Sequence, residues 1–286
     1  MNVSVNANPK ASIILATYNW PEALAMVLSG LLTQTEPSFE VMLADDGSDE
    51  RTRSLVQQIQ KRAFFPIRHL WQENKGFRKS RILNQAILQS QGSTLIFLDG
   101  DCIPHKEFVA EHIRLQDSFS YVCGRRVDLS EDLTKQLTPE KILAGALNGE
   151  TFTDLLRLWR DSLRNNGSKP FHRAYMVRAP WLRKLCGLHK VVDLKGCNFS
   201  VSRASMLAIN GFDESYEGYG REDTDVELRL QHLGLKIKSA KNLCLQFHLW
   251  HKTRAFTPQN EHLLEDVRQT KRVNALRGIA EAEGQA

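Results

Sequence analysis

The sequence contains no uninterrupted apolar run near the roughly 18 residues that cross a bilayer. Cysteine is scarce: Cys102, Cys123, Cys186, Cys197 and Cys244 make an odd five, and none forms a C-x-x-C pair. That argues against a disulfide scaffold and against a cysteine-built zinc site, and reduced thiols are the simplest reading. No G-x-G-x-x-G follows an apolar strand, no G-x-x-x-x-G-K-[ST] occurs, and no G-x-S-x-G occurs. The dinucleotide fingerprint, the P-loop and the hydrolase elbow are therefore missing. Charge of one sign is also in short supply, with 38 basic and 33 acidic residues leaving a net +5. A nucleic-acid binder carries a stronger basic stripe. A mild positive field suits an anionic small substrate or an anionic membrane surface. Met1 to Lys10 is polar, has no apolar h-region, and is expected to be disordered rather than a signal peptide.

What is present is 286 residues, 42% of them hydrophobic, enough for one large core with a modest appendage. The first hundred residues alternate strand and helix. Apolar runs at 12–16, 40–44 and 94–98, with a weaker one at 67–71, read as strands. Between them, Leu24, Val27, Leu28 and Leu31 share one helical face, with Asn19 as cap and Pro21 in the first turn. A second helix from about Glu50 turns Leu55 and Ile59 inward, and a third runs from Ser80 to Gln89. Single helices between strands imply right-handed crossovers and a mainly parallel, Rossmann-like α/β sheet. Leu137 to Arg164 is expected to be largely helical, and Asn165 to Pro170 a turn or a flexible loop. Beyond it come a strand ending at Ser202, a helix from Arg203, and a helix over 223–233 with Val226, Leu230 and Leu233 inward. One or two strands follow within 236–247, and then a helical tail from Pro258.

In such sheets ligands bind at the carboxyl ends of the strands. Here those ends carry Thr17-Tyr18-Asn19, Asp45-Asp46-Gly47-Ser48 and Asp99-Gly100-Asp101. Two acids hinged by glycine can face one hard divalent cation, although D-G-D is also an ordinary turn. A carboxylate closing a strand can accept from an imide N–H, or it can merely feed a helix cap. Gly220-Arg221-Glu222-Asp223-Thr224-Asp225 puts three acids at a helix start, after the glycine- and aromatic-rich Tyr216 to Tyr219. Helix N-termini favour acids in any case, and Asp225 is assigned that role. His248 and His251 would fall on opposite faces of a strand, but in a turn both reach one ion. Arg78 and Arg81 open a helix and could hold a diphosphate, whereas Lys79 reads as a solvated basic turn.

Taken in order, Ala16 to Asn19, Asp45 to Ser48, Asn74-Lys75-Gly76 and Asp99 to Asp101 resemble the nucleotide-sugar half of family 2 glycosyltransferases, whose fold is called GT-A. Lys195 to Ser200, Gly211 to Glu214 and Gly220 to Asp225 resemble the acceptor half shared with β-1,4-galactosyltransferases and chondroitin-polymerase-like enzymes. The resemblance runs from about Ala11 to His251, and 130–192 carries no matching motif. It implies a glycosyltransferase domain over 11–257, split into a nucleotide-sugar half (11–125) and a smaller α+β acceptor half (126–257), with a tail over 258–286. It implies that Thr17, Tyr18 and Asp45 hold uridine, with Asp45 on the uracil, and that Arg78, Arg81 and Gly100 meet ribose or diphosphate. Asp99, Asp101, His251 and His248 would bind Mn²⁺ or Mg²⁺. Glu222, Tyr219 and Arg221 would bind the acceptor, and Asp223 would be the general base. Where the galactosyltransferase-like pattern has tryptophan-glycine-glycine, this sequence has Tyr219-Gly220-Arg221.

The implied reaction moves a hexose or N-acetylhexosamine from a UDP-sugar, with inversion, to a saccharide or lipid-linked saccharide. Bacterial surface-glycan or lipopolysaccharide synthesis is the implied setting. Two other readings stay open: a sugar nucleotidyltransferase, and a catalytically silent sugar-binding protein. The expected location is the cytoplasm, with a peripheral contact at the inner membrane face through Arg268, Lys271, Arg272 and Arg277. No nucleic-acid partner is expected.

Overall fold

The computed structural model describes residues 8–148, 152–164, 166–190, 193–252 and 256–280. The first half is a parallel β/α run. Strands β1 (Ala11–Thr17), β2 (Phe39–Asp45), β3 (Ile67–Trp71) and β4 (Thr94–Asp99) are joined through α1 (Pro21–Leu31), α2 (Glu50–Gln60) and α3 (Lys79–Gln89). β1 lies between β2 and β4, in register from Ala11 opposite Phe39 and Thr94 to Thr17 opposite Asp45 and Ala16 opposite Asp99. Thr17, Asp45 and Asp99 therefore finish along one edge of the sheet, where ligands bind. The strands read as continuous apolar runs because both faces are buried. Ile13 and Leu15 pack on the side of α1, and Ile14, Met42 and Ala44 on the side of α3.

After β4 come β5 (Cys102–Pro104), α4 (Phe108–Leu115), β6 (Ser120–Cys123) and β7 (Arg125–Asp128). Helices α5 (Glu131–Gln136), α6 (Pro139–Leu143), α7 (Phe152–Ser162) and α8 (Pro180–Leu185) fill the stretch without a motif. The chain returns through β8 (Asn198–Ser202), α9 (Arg203–Ala208), α10 (Glu222–His232), β9 (Lys236–Ser239), β10 (Leu245–His248) and α11 (Gln259–Thr270). The main sheet has the order β3-β2-β1-β4-β8-β6-β9, with β8 antiparallel to both neighbours. A second sheet, β5-β10-β7, sits beside the end of β4.

Four local expectations change. Asn19 does not cap α1; it takes φ 47°, and its side chain accepts from the Asp49 N–H at 2.8 Å, tying the first βα loop to the second. The expected helix over 137–164 is broken, because Thr138 caps a new start at Pro139 and Gly145 takes φ 94°. Leu233 is 36% exposed, since α10 turns only Val226 and Leu230 into the core. Lys10, placed in a disordered terminus, donates its N–H to Ser38 O at 3.0 Å and pairs with Glu36. Met1 to Ala7, Asn165, Val192 and the last six residues of the tail lie outside the described residues.

Candidate active site

Asp99 closes β4, Gly100 and Asp101 turn the chain, and Cys102 opens β5. The Gly100 N–H donates to Ala16 O at 2.7 Å. A Cβ at this position would sit 2.9 Å from that oxygen, so glycine lets the turn lie against β1. β10 pairs antiparallel with β5, His248 opposite Cys102, and the Leu249 N–H donates to Asp101 O at 2.8 Å. The strand ends there and the chain turns, so His251 folds back. The Nε2 atoms of His248 and His251 lie 3.1 Å apart, and 3.7 and 3.4 Å from Asp101 Oδ2. The fold thus brings Asp101 and both histidines together.

Burial works against charge on Asp101, but the two imidazoles hold its carboxyl well below the usual carboxylate range. Burial likewise opposes the His248 cation, yet Asp101 and Asp128 push that imidazole up to about 9. A carboxylate faced by two imidazole nitrogens is a donor set that fits a divalent cation, and imidazole favours Mn²⁺ over Mg²⁺. Sequence reasoning missed Cys102, whose sulfur groups with Asp101 and His248 within 4.8 Å. Burial drives its thiol far above the ordinary range. Asp99 does not join this cluster. Its Oδ1 lies 2.6 Å from Lys79 Nζ, with 28% and 20% of the two side chains exposed. Lys79, expected in a solvated turn, is instead a half-buried cation of the site.

These groups line a cavity of about 490 Å³, within the range of small-molecule sites. Thr17 and Tyr18 form one wall, and the Tyr18 hydroxyl accepts from Asn74 Nδ2 at 2.9 Å. Asp45, which ends β2, and its neighbour Asp46 face different ways. Asp45 is fully buried and is absent from the lining; its Oδ1 accepts from the Ser48 N–H at 2.8 Å, and its Oδ2 lies 2.8 Å from His69 Nε2. Asp46 lines the cavity, accepting from Gln72 Nε2 at 2.5 Å and from the Arg78 N–H at 2.9 Å. Arg78 and Arg81 are also absent from the lining. The Arg78 guanidinium turns back to Glu73 O, because α3 begins at Lys79 and points that side chain inward instead.

The acid run at α10 divides in two. Gly218, Gly220 and Arg221 take φ of 78°, 108° and 77°, bending the chain sharply into the helix. Glu222 then faces the first cavity, where its Oε2 is buried and, among the described residues, has no hydrogen-bond partner. Burial raises its carboxyl above the ordinary range, while Lys79 pulls the other way. Asp223 faces a neighbouring cavity of about 450 Å³. Its oxygens accept from the backbone N–H groups of Gly196 at 3.0 Å and Thr224 at 2.8 Å. Tyr219 lines both cavities. Arg221, expected to meet an acceptor, also lines the cavity of Asp223; its guanidinium pairs with Glu261 at 2.7 Å and stands over the Phe256 ring at 5.2 Å. Asp225, expected to be structural, is buried against Arg229.

Comparison with known proteins agrees with this geometry. The family described as "Glycosyl transferase family 2" matches residues 12–176, and "N-terminal domain of galactosyltransferase" matches residues 190–252. Glycosyltransferase YfnE of Bacillus subtilis is 29% identical over 287 residues, covering 91% of this chain and 68% of its own. A validoxylamine A glucosyltransferase of Streptomyces hygroscopicus is 25% identical, covering 80% of this chain and 53% of its own. A chondroitin synthase of Pasteurella multocida is also 25% identical, covering 79% of this chain and 23% of its own. The chain thus spans about two-thirds of the first relative's length, about half of the second's and about a quarter of the third's. The fold is shared with S. aureus TarS in complex with UDP-GlcNAc, at TM-score 0.62 and 16% identity over 96% of this chain and 69% of that one. It is shared too with the mannosyltransferase PcManGT of Pyrobaculum calidifontis in complex with GDP-Man and Mn²⁺, at TM-score 0.59 and 16% identity over 97% and 70%. A profile spanning more than half of the residues, on a GT-A-type sheet with a galactosyltransferase-like C-terminal part, means that this chain belongs to glycosyl transferase family 2.

Proposed function

We propose that this chain transfers a hexose or N-acetylhexosamine from a UDP-sugar to a hydroxyl of a saccharide acceptor, with inversion, in the synthesis of a bacterial surface glycan. One observation carries the reading: Asp101, His248, His251 and Glu222, drawn from both halves of the chain, surround one cavity, with Asp223 just beyond Tyr219. The activities for which the relatives are named, glucosyl transfer and chondroitin synthesis, support it.

In this reading Thr17 and Tyr18 flank the nucleoside, and Asp46 rather than Asp45 meets the base. Lys79 supplies a cation for the diphosphate, within reach of Asp99. Asp101, His248 and His251 would hold Mn²⁺ or Mg²⁺, which when bound supplies stabilisation for charge on the leaving diphosphate. Glu222 binds an acceptor hydroxyl. Asp223 takes the proton from the acceptor hydroxyl. The freed electron pair forms the new bond to the anomeric carbon while the bond to UDP breaks on the opposite face, and the pair from that bond leaves with UDP. The setting is the cytoplasm near the inner membrane face; among the described residues no helix is long and apolar enough to cross a membrane.

The test is UDP release from UDP-galactose, UDP-glucose, UDP-N-acetylglucosamine and UDP-N-acetylgalactosamine, with and without saccharide acceptors and with chelator. Acceptor-stimulated release from one donor, lost on chelation, is expected. Undiminished turnover in excess chelator would overturn the metal assignment, and no release from any UDP-sugar would overturn the donor class.

A further inference from the structure

We propose that the outer face of α8 docks on an anionic lipid bilayer. This short helix has no buried residue, and it displays Trp181 at 70% and Leu185 at 77% exposure. The exposed Lys184 lies between them in sequence, and positions separated by three and four residues share one helical face. A surface helix ordinarily turns its large apolar residues inward. Here the reverse orientation is fastened in place by Arg183, which donates to Val177 O at 3.2 Å, Lys241 O at 2.6 Å and Ser239 O at 3.1 Å. The outward tryptophan is therefore held there by the fold rather than by fraying.

Charge selects the occupant. Residues 152–190 contain nine Lys and Arg against Asp154 and Asp161, whereas the remainder of the chain has 29 basic and 31 acidic residues. The whole positive excess of the protein thus resides in the stretch that presents this face. Among the described residues, Lys184 and the exposed Lys190 have no acidic partner. A tryptophan and a leucine beside unpaired lysines match the interfacial zone of a bilayer with anionic headgroups. The tail assigned to lipid from the sequence offers less. Its Arg268 pairs with Glu261 and Glu265, and its Arg272 with Asp213 and Asp266. α8 ends eight residues before Asp193, which lines the cavity of Asp223.

The test is sedimentation of the full chain with vesicles of phosphatidylglycerol and phosphatidylcholine in equal parts, and with phosphatidylcholine vesicles alone. Partition to the anionic vesicles is expected, with a blue shift of tryptophan emission. The double variant Trp181→Ser/Leu185→Ser should partition at least about tenfold less, and its circular dichroism and melting curve should match the parent. Lys184→Gln and Lys190→Gln should each cost about fivefold, and the Arg268→Gln/Lys271→Gln variant should partition like the parent. Failure to bind anionic vesicles, equal partition to phosphatidylcholine alone, or unchanged partition of the Trp181/Leu185 variant would overturn the proposal. Binding to polyphosphate without partition to vesicles would also overturn it, by making an anionic polymer the occupant. Partition is read without turnover, so its failure leaves the transfer reading standing.

Discussion

Glu222 and Asp223 are neighbours in sequence, yet they open into different cavities, and their carboxylates are held differently. In the first, carboxylates are met by cations: Lys79 stands against Asp99, and His248 and His251 against Asp101. Glu222 shares that space, is desolvated, and has its carboxyl raised above the ordinary range by burial. In the second, Asp223 is oriented by backbone N–H groups. The difference separates a compartment in which acids face side-chain cations from one, lined also by Asp193 and Glu227, in which Asp223 is held by the backbone.

The largest expected effect would break or uphold that separation. Asp223→Asn keeps the shape and removes the basicity, so kcat should fall by about 10²–10⁴-fold while UDP-sugar affinity stays near wild type. Steady-state kinetics with parallel UDP titrations would check it. If Asp225→Asn lost turnover while Asp223→Asn kept it, the base would have to be reassigned two residues on.

Next in size is the charge pairing of the first cavity. Lys79→Ala leaves Asp99 and Glu222 facing each other without their cation, so UDP affinity should drop by at least about tenfold, the scale of one charge-assisted hydrogen bond. Lys79→Arg should recover part of it. An unchanged dissociation constant by calorimetry would show that the ammonium is merely structural.

The same contrast between adjacent acids recurs after β2. Asp46→Ala should weaken UDP binding by about ten- to hundredfold. Asp45→Ala should leave affinity nearly intact and lower the melting temperature instead, because it strips partners from His69 and the Ser48 N–H. The opposite pattern would restore Asp45 to the base.

The smallest effect at neutral pH concerns imidazoles. His248, beside carboxylates, is pushed up to about 9, whereas burial pushes His112 down to about 3. His112 sits between Ser200 Oγ and Asn198 Oδ1 with no exposed surface. Unfolded, it would bind a proton near pH 6.5; folded, it does not until about pH 3. The unfolded state therefore gains more protons as pH falls through that window, and stability drops from about pH 6.5 toward 3. Urea midpoints of the parent and His112→Gln should converge as pH falls. Parallel pH profiles would remove His112 as the cause.

Much of this protein was readable before any tertiary contact was known. Apolar runs alternating with helical faces specified the parallel β/α half, because burial on both sheet faces leaves a continuous apolar run in Ile13 to Leu15 and Val41 to Ala44. Turn chemistry placed Asp99-Gly100-Asp101 at a strand end, and acids at the α10 start marked Glu222 and Asp223. Direction was not readable. Whether Asp45 or Asp46 looks into the cavity depends on His69 and Gln72 in and after the next strand. That Lys79, rather than Arg78 or Arg81, enters the site depends on where α3 begins and on Asp99, 20 residues away. His248 and His251 converge because β10 ends between them against β5, a pairing across nearly 150 residues. Local pattern decides which elements form, since it is set by neighbours along the chain. Which side chain of two adjacent ones faces the ligand is decided by a partner distant in sequence, and only the packed fold brings that partner into reach.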